Sequence, residues 1–341
     1  MAFNRITYRF TAFCVVVLMI VFWIFSGGWF WGRLKLVEST EFLMNTSVTV
    51  KIYVTSNKKG KDLLKRTFAE AKRIEHILEP LKGEGELYRI NKSRADTWWK
   101  MSPEMEAVLK RSIFFNRMSG GVFDPTIAPV KWLWDFENGG RLPFGSEIKE
   151  ALNAVGLSHI TVMADSLNLG NHGTKLDFGG IAKGYTVDRM ISLLKAEGIE
   201  AGLVNAGGDI FTFGMKPGGK PWVIGLRHPR MNKTYVLETI SLPAVATSGD
   251  YERCFINEGV RYHHILDPAT GYPARGCASV TVWTKTAMDA DVLATSIFVL
   301  GHQKGLALAE NMEDVETLIF FEEDSRIKNV MSSGIKDIIK L

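Results

Sequence analysis

The clearest periodicity in the chain begins at Thr46. Thr46, Val48, Val50, Ile52 and Val54 alternate with Ser47, Thr49, Lys51 and Tyr53, the period of two that places one row of side chains on a buried face. The period then changes. Over residues 61–78 Leu64, Phe68, Ala71, Ile74 and Leu78 recur at helical spacing. Residues 105–115 and 148–155 predict further helices, with Pro103 and Ser146 as their start signals. Strands and helices follow in alternation: a strand over 160–169, a helix over 185–195 with Val187, Met190, Ile191 and Leu194 inward, and a short buried strand over 201–204. The remainder predicts strands over 222–226, 235–240, 260–266 and 279–283, a helix over 287–300 and a late strand over 317–321. Hairpin-like neighbours and few long crossovers indicate an α+β fold in preference to a doubly wound parallel sheet. With no Pro- or Ser-rich linker after about residue 38, the expectation is a single compact mixed-sheet catalytic domain over residues 34–341.

Residues 1–33 break this pattern. Between Arg9 and Arg33 lie 23 residues without a formal charge. As a helix of about 1.5 Å per residue, that stretch spans the roughly 30 Å hydrocarbon core of a bilayer. Trp29, Phe30 and Trp31 suit an interfacial aromatic belt, and Arg5 and Arg9 favour a cytoplasmic N-terminus, although Arg33 and Lys35 weaken the asymmetry. The expectation is an uncleaved anchor in the inner (cytoplasmic) membrane, with the catalytic domain on the periplasmic, extracytoplasmic side. Ser26, Gly27 and Gly28 keep a cleaved signal peptide open as the alternative.

Composition narrows the classes. Apolar content of 46% and charged content of 23% suit a globular core, and a net charge of +4 without a basic, aromatic-laced run gives no reason to expect nucleic acid. Cys14 lies in the apolar segment, which leaves Cys254 and Cys277 in the exported part; export permits a disulfide, and two buried thiols fit equally. No CxxC or Cys/His cluster suggests zinc.

Chemistry concentrates in glycine-rich segments. Leu176-Asp-Phe-Gly-Gly-Ile-Ala-Lys-Gly-Tyr185 and Asn205-Ala-Gly-Gly-Asp209 place glycine pairs beside acids and a lysine, where backbone can approach a ligand closely. Asp291 and Thr295, four residues apart on a helix face, are oxygen donors of the kind magnesium takes, though a cap and a backbone-bonded hydroxyl explain such a pair too. Together these features suggest a site for a phosphorylated cofactor and a hard metal ion. His263 and His264 are adjacent, so strand alternation turns only one toward a common site. Asp124 sits in a Gly/Pro-punctuated loop whose plainer role is a turn, and Trp132 and Trp134 fit a core better than a stacking platform. Gly214–Lys220 has P-loop spacing, but Pro221 stands where a Ser or Thr is required, so the segment is expected to be a glycine turn.

Six segments in one order carry a resemblance: residues 121–130, 176–188, 205–210, 247–253, 262–271 and 290–301. Together they strongly resemble the FAD:protein FMN transferases, the ApbE family, over most of the chain from about Thr40. The resemblance implies an ApbE, T-fold-like domain that splits the pyrophosphate of FAD. It would attach FMN through its phosphate to a Ser or Thr hydroxyl of an exported flavoprotein, releasing AMP. The acceptor would carry a Ser/Thr-Gly-Ala-Thr type motif, which this chain lacks. The resemblance further implies Mg2+ held by Asp291, Thr295 and a backbone carbonyl near Gly180. It implies an FAD cleft lined by Met44, Leu81, Val122, Phe123, Asp124, Asp177, Lys183 and Ile265, with His264 and Asp291 in catalytic roles. Asn45 stands where the family usually has Gly, and Leu81 where it usually has an aromatic. A plain FAD pyrophosphatase and a non-enzymatic flavin-binding subunit are the alternative functions.

Overall fold

The computed structural model describes residues 34–339 apart from 96, 171, 239, 240, 337 and 338; the expected membrane anchor lies outside the described residues. Two strands open the fold. β1 (Lys35–Leu43) pairs antiparallel with β2 (Thr46–Val54), from Lys35 opposite Val54 to Leu43 opposite Thr46. β2 is the strand its alternation announces. Periodicity does not reveal β1, because only Val37 and Leu43 among its residues are buried and its place depends on pairing with β2.

α1 (Asn57–Leu78) starts four residues before the predicted helix, since the Ser56 hydroxyl accepts from the Lys59 amide and caps it there. Leu64, Phe68, Ala71, Ile74 and Leu78 are buried as their spacing requires. After α2 (Glu86–Lys92), β3 (Trp99–Lys100) and α3 (Pro103–Met118) come α4 (Ala128–Leu133) and α5 (Gly145–Leu152). The strand expected over 160–169 is instead a tight hairpin, β4 (Thr161–Met163) and β5 (Ser166–Asn168), because the chain reverses at Ala164 with φ of +52°. α6 (Ala182–Ala196), β6 (Gly202–Ala206) and β7 (Asp209–Phe213) follow, then the ribbon of β8 (Val223–Arg227) and β9 (Thr234–Glu238), then β10 (Ala244–Gly249). A second ribbon, β11 (Cys254–Asn257) and β12 (Val260–His263), ends three residues before its predicted limit. β13 (Ser279–Thr284) leads into α7 (Ala287–Glu310), which continues past a break at Gly301, and β14 (Glu316–Glu323) and β15 (Arg326–Met331) complete the order.

Eight strands form one sheet in the order β1-β2-β6-β7-β10-β13-β14-β15. Every pairing in it is antiparallel, which corrects the expectation of a mixed sheet. Three of these pairs are hairpins, since short turns join β1 to β2, β6 to β7 and β14 to β15 and allow only antiparallel neighbours; the other four pair strands far apart in sequence. The architecture is otherwise the expected α+β one. α1, α6 and α7 cover one face, where Val48, Val50, Ile52, Val280 and Val282 meet Phe68, Ile74, Ile191 and Ile297. On the other face Trp222, Ile224 and Leu226 pack with Trp283 and Phe320. Because both faces are covered, β13 is buried along its whole length.

A smaller aromatic cluster props the cleft side. Trp134 is fully buried, stacks on Phe136 and Tyr262, and donates its indole N–H to the Gly271 carbonyl at 2.9 Å. The Gly214–Lys220 segment is a turn closed by Lys216 N donating to Lys220 O, as expected. Cys254 is exposed and Cys277 buried, and both are free.

His263 belongs to this framework. Its Nδ1 accepts from the Ile265 amide at 3.3 Å, so its Nε2 donates to the Ala274 carbonyl at 3.0 Å, and its ring packs edge-on against Phe298. A proton on Nδ1 would face that amide, and burial pushes the pKa down to about 4 from 6.5. The unfolded chain takes up this proton as pH falls through about 6.5, and the folded chain only near 4. The contribution of His263 is therefore complete above pH 6.5 and lost progressively toward pH 4. Urea unfolding at pH 7 and pH 5 should show a loss of about 2 kcal/mol from this residue. His263→Asn should remove that share of the pH dependence; an unchanged slope would mean that another group carries it.

Candidate active site

The cleft is built where the ends of several elements meet. It has two lobes of about 340 and 300 Å3. They share Asn45, Lys131, Asp177, Gly179, Lys183, Arg253 and His264, so they form one continuous groove. Met44 and Leu81 line the first lobe, beside Leu78, Trp132 and Phe136. Val122, Phe123, Asp124, Gly180, Ile265, Asp291 and Thr295 line the second. All twelve residues expected at the site therefore face one groove, with Asp177, Lys183 and His264 at the junction.

The first wall is strained. Met44 and Asn45, at the β1–β2 turn, both adopt positive φ, +53° and +57°. The twist of a two-residue hairpin favours this conformation, and a methionine adopts it at a cost. The Glu75 carboxylate accepts from the Met44 amide at 2.6 Å and fixes the turn from α1.

Asp177 and the glycines form the floor. The Asp177 carboxylate accepts from Lys131 Nζ at 2.6 Å and from the Gly179 amide at 2.8 Å. A Cβ on Gly180 would stand 3.1 Å from Phe123 and 3.2 Å from Thr295 Oγ1, so backbone here lies close against the second lobe's polar end. Thr295 Oγ1 also meets Ser248 Oγ at 3.4 Å. Asp124 does what its plainer reading required, accepting from the Thr126 amide and hydroxyl at 2.8 and 2.5 Å, and it lines the lobe as well. Burial raises its carboxyl pKa, against those hydrogen bonds.

Beneath the floor lies a buried charge triad. Lys183 Nζ stands 2.8 Å from Asp209 and 3.0 Å from Asp291, which are 2% and 4% exposed. The Gly184 amide donates to the other Asp291 oxygen at 3.1 Å. Burial works against the Lys183 ammonium, but the two carboxylates outweigh it and hold its pKa above the usual value. Asp209 is pushed up to about 8, first by burial and then by the Asp291 charge. Two buried acids share one lysine, so Asp209 keeps its proton near neutral pH, and a cation bound here would displace that proton. Among the described residues no group of three or more His, Cys, Asp and Glu side chains is placed to hold a metal. A cation here would therefore need hydroxyl and backbone oxygens beside the carboxylates; Thr295 and Gly180 line the same lobe as Asp291.

Asp291 is not the helix cap that its position near the start of α7 suggests. Thr286 caps α7, its hydroxyl accepting from Asp289 N, while both oxygens of Asp188 accept the Ala287 and Met288 amides at 2.8 and 2.9 Å. Those contacts free Asp291 for the cleft.

His264 and His263 point to opposite sides, as alternation requires, although His264 lies one residue past β12. Burial, then the charges of Lys131 and Arg253, push His264 well below the usual histidine pKa, and its Nδ1 is buried without a protein partner. It is a neutral imidazole whose ring nitrogens form no protein hydrogen bond among the described residues.

Sequence reasoning gave Asp209 only a general polar role beside its glycine pair, assigned none to Lys131 or Arg253, and took Trp132 for core. Asp209 carried a signal, closing the glycine pair of Asn205–Asp209. Arg253 closes the 247–253 segment of the resemblance, while Lys131 carried no signal, because only folding brings α4 and the loop before β11 together. Trp132 is half-buried in the wall of the first lobe, unlike its fully buried neighbour Trp134.

Comparison with known proteins bears on this groove. The model of the ApbE family matches residues 44–319. The FAD:protein FMN transferase of Treponema pallidum is 31% identical over 332 residues, covering 91% of this chain and 90% of that protein. The FAD:protein FMN transferase of Vibrio cholerae is 34% identical over 262 residues, covering 75% and 78%. Among solved structures, the flavin transferase ApbE from Vibrio cholerae superposes with a TM-score of 0.82 at 29% identity, over 90% of this chain and 100% of that one. The ApbE protein from Thermotoga maritima does so with a TM-score of 0.81 at 36% identity, with the same coverage. The matched span contains the lining residues of both lobes, and on these grounds the chain belongs to the ApbE family.

Proposed function

We propose that this protein is an FAD:protein FMN transferase, moving FMN from FAD to a Ser or Thr hydroxyl of an exported flavoprotein. The observation that carries the reading is the two-lobed groove whose junction holds a neutral His264 between Lys131, Arg253 and Lys183. A dinucleotide has two ring systems joined by a pyrophosphate, and the groove has two lobes joined by a cationic waist. The acceptor oxygen attacks the phosphorus that bears riboflavin. The bond from that phosphorus to the bridging oxygen breaks, AMP departs with that oxygen, and the hydroxyl proton passes to His264. Phosphate charge beside the imidazole offsets the neighbouring cations and raises its affinity for the proton. Asp177 holds Lys131 at the waist, and the Gly179–Gly180 backbone allows close approach of phosphate oxygens.

The excess of acids over bases at Asp209 and Asp291, with Thr295 and backbone oxygen near Gly180, supports Mg2+ at the inner end of the second lobe, its binding releasing the Asp209 proton. When bound, the ion would screen the pyrophosphate and stabilise the leaving AMP. The uncharged segment between Arg9 and Arg33 supports an uncleaved anchor with the domain on the extracytoplasmic side.

The reading is tested by incubating the purified full-length chain with FAD, MgCl2 and an exported flavoprotein bearing a Ser/Thr-Gly-Ala-Thr motif. Mass spectrometry should find FMN on the acceptor. FMN and AMP free in solution with an unmodified acceptor would make the protein a pyrophosphatase instead.

His264→Ala should slow transfer by about 10²–10⁴-fold while leaving FAD affinity within a few-fold. An equal loss of affinity would assign His264 to holding the substrate.

Asp291→Asn keeps the shape of the side chain and removes its charge; it should abolish transfer at any accessible magnesium concentration. Thr295→Ala should only raise the magnesium required, since a neutral oxygen contributes less to a hard cation. Wild-type magnesium dependence in the Asp291 variant would place the ion elsewhere.

A further inference from the structure

The start of α1 breaks a local rule. Asn57-Lys-Lys-Gly-Lys opens the helix with three lysines and no acid in the first turn, where the helix dipole disfavours positive charge. Lys58, Lys59, Lys61 and Lys65 are all exposed, and none forms an ion pair among the described residues. Lys35 at the start of β1 is exposed and unpaired as well. These five lysines share one end of the molecule. Lys35 lies opposite Val54 at the end of β2, and a Cβ on Gly60 would touch both Val54 and Val37. The same end holds Leu34, beside Lys59 in a shared hollow, and Leu36, which is 46% exposed. Among the described residues lining that hollow, Asp62 and Glu200 are the acids without an ion pair, since Glu197 is paired with Arg66; nearby Glu38 is paired with Lys51. Leu34 is also where the chain arrives from the uncharged segment.

We infer that this lysine end is a docking face for an anionic phospholipid surface, and that α1 sets the height of the cleft above the membrane. The inference rests on the anchor reading. A lysine near such a surface is worth roughly fivefold in affinity, and clusters of four or more beside a membrane segment are the usual size of such a face. The exposed Leu36 beside them suits the interface between water and lipid. α1 then stands between membrane and site. Its 22 residues span about 33 Å, and its far end, with Leu78 and the following Pro80 and Leu81, lines the first lobe of the groove. The β1–β2 turn reaches the groove alongside it through Met44 and Asn45. An acceptor must therefore present its hydroxyl roughly one α1 length from the bilayer, which selects acceptors whose modified residue is carried at that height.

The test uses the full-length chain in lipid nanodiscs, either with about a third phosphatidylglycerol or with phosphatidylcholine alone, read by hydrogen exchange. In the anionic discs amides of residues 57–66 should exchange at least about fivefold more slowly, the protection one lysine–lipid contact supplies. Residues 76–82 at the groove should exchange alike in both discs. Salt near 1 M should remove the protection, because screening shortens to about 3 Å. A variant combining Lys58→Gln, Lys59→Gln, Lys61→Gln and Lys65→Gln should lose the dependence on lipid charge while transferring FMN to a soluble acceptor at an unchanged rate. Equal exchange in the two discs, with the chain co-eluting with the disc, overturns the docking face alone. Failure of the full chain to enter the disc overturns the anchor and the orientation with it.

Discussion

The site depends on one ammonium held between two buried carboxylates. Lys183 comes from α6, Asp209 from β7 and Asp291 from α7, so their contacts join three elements at the bottom of the groove. Taking a charge out of water costs several kcal/mol, and is tolerated only where hydrogen bonds and opposite charge meet it closely; here Asp209 also keeps its proton. The supporting geometry is tight. A Cβ on Gly184 would stand 2.1 Å from the Ala287 carbonyl, so only glycine lets α6 approach α7 and offer its amide to Asp291. Asp188, one turn later on α6, takes the first amides of α7 and locks the helices in this register.

The two adjacent histidines show how position sets chemistry. His263 has both ring nitrogens engaged and is a framework residue. His264 is also neutral, but burial and three cations hold it so, and neither ring nitrogen has a protein hydrogen-bond partner among the described residues. A committed imidazole stabilises the fold; an uncommitted one in a cationic groove is available to a substrate proton. The aromatic cluster around Trp134 holds the ribbon that carries both.

Local rules fail in a few places, and those places have work outside the fold. Met44 and Asn45 hold a left-handed turn at the groove's rim, the glycines at 179 and 180 remove side chains next to a charged floor, and α1 begins with lysines that its dipole disfavours.

Much of this was legible before the fold. Alternation over 46–54 and helical spacing over 61–78 place β2 and α1 because each buries one continuous face, and burial writes its period into the residues. The glycine-rich segments and the Asp291–Thr295 pair indicated phosphate and cation chemistry, because few other uses need glycine and acid so closely mixed. Tertiary structure decided the rest. β1 and β15 are edge strands held only by the hairpins they form with β2 and β14, and β10 is held by β7 and β13, strands distant in sequence. The pairing of Asp209 with Lys183, the position of Lys131 against Asp177, and the division of labour between Asp188 and Asp291 are contacts across long separations. Periodicity reports which face of an element is buried. It carries no record of which element, arriving from far along the chain, will bury it.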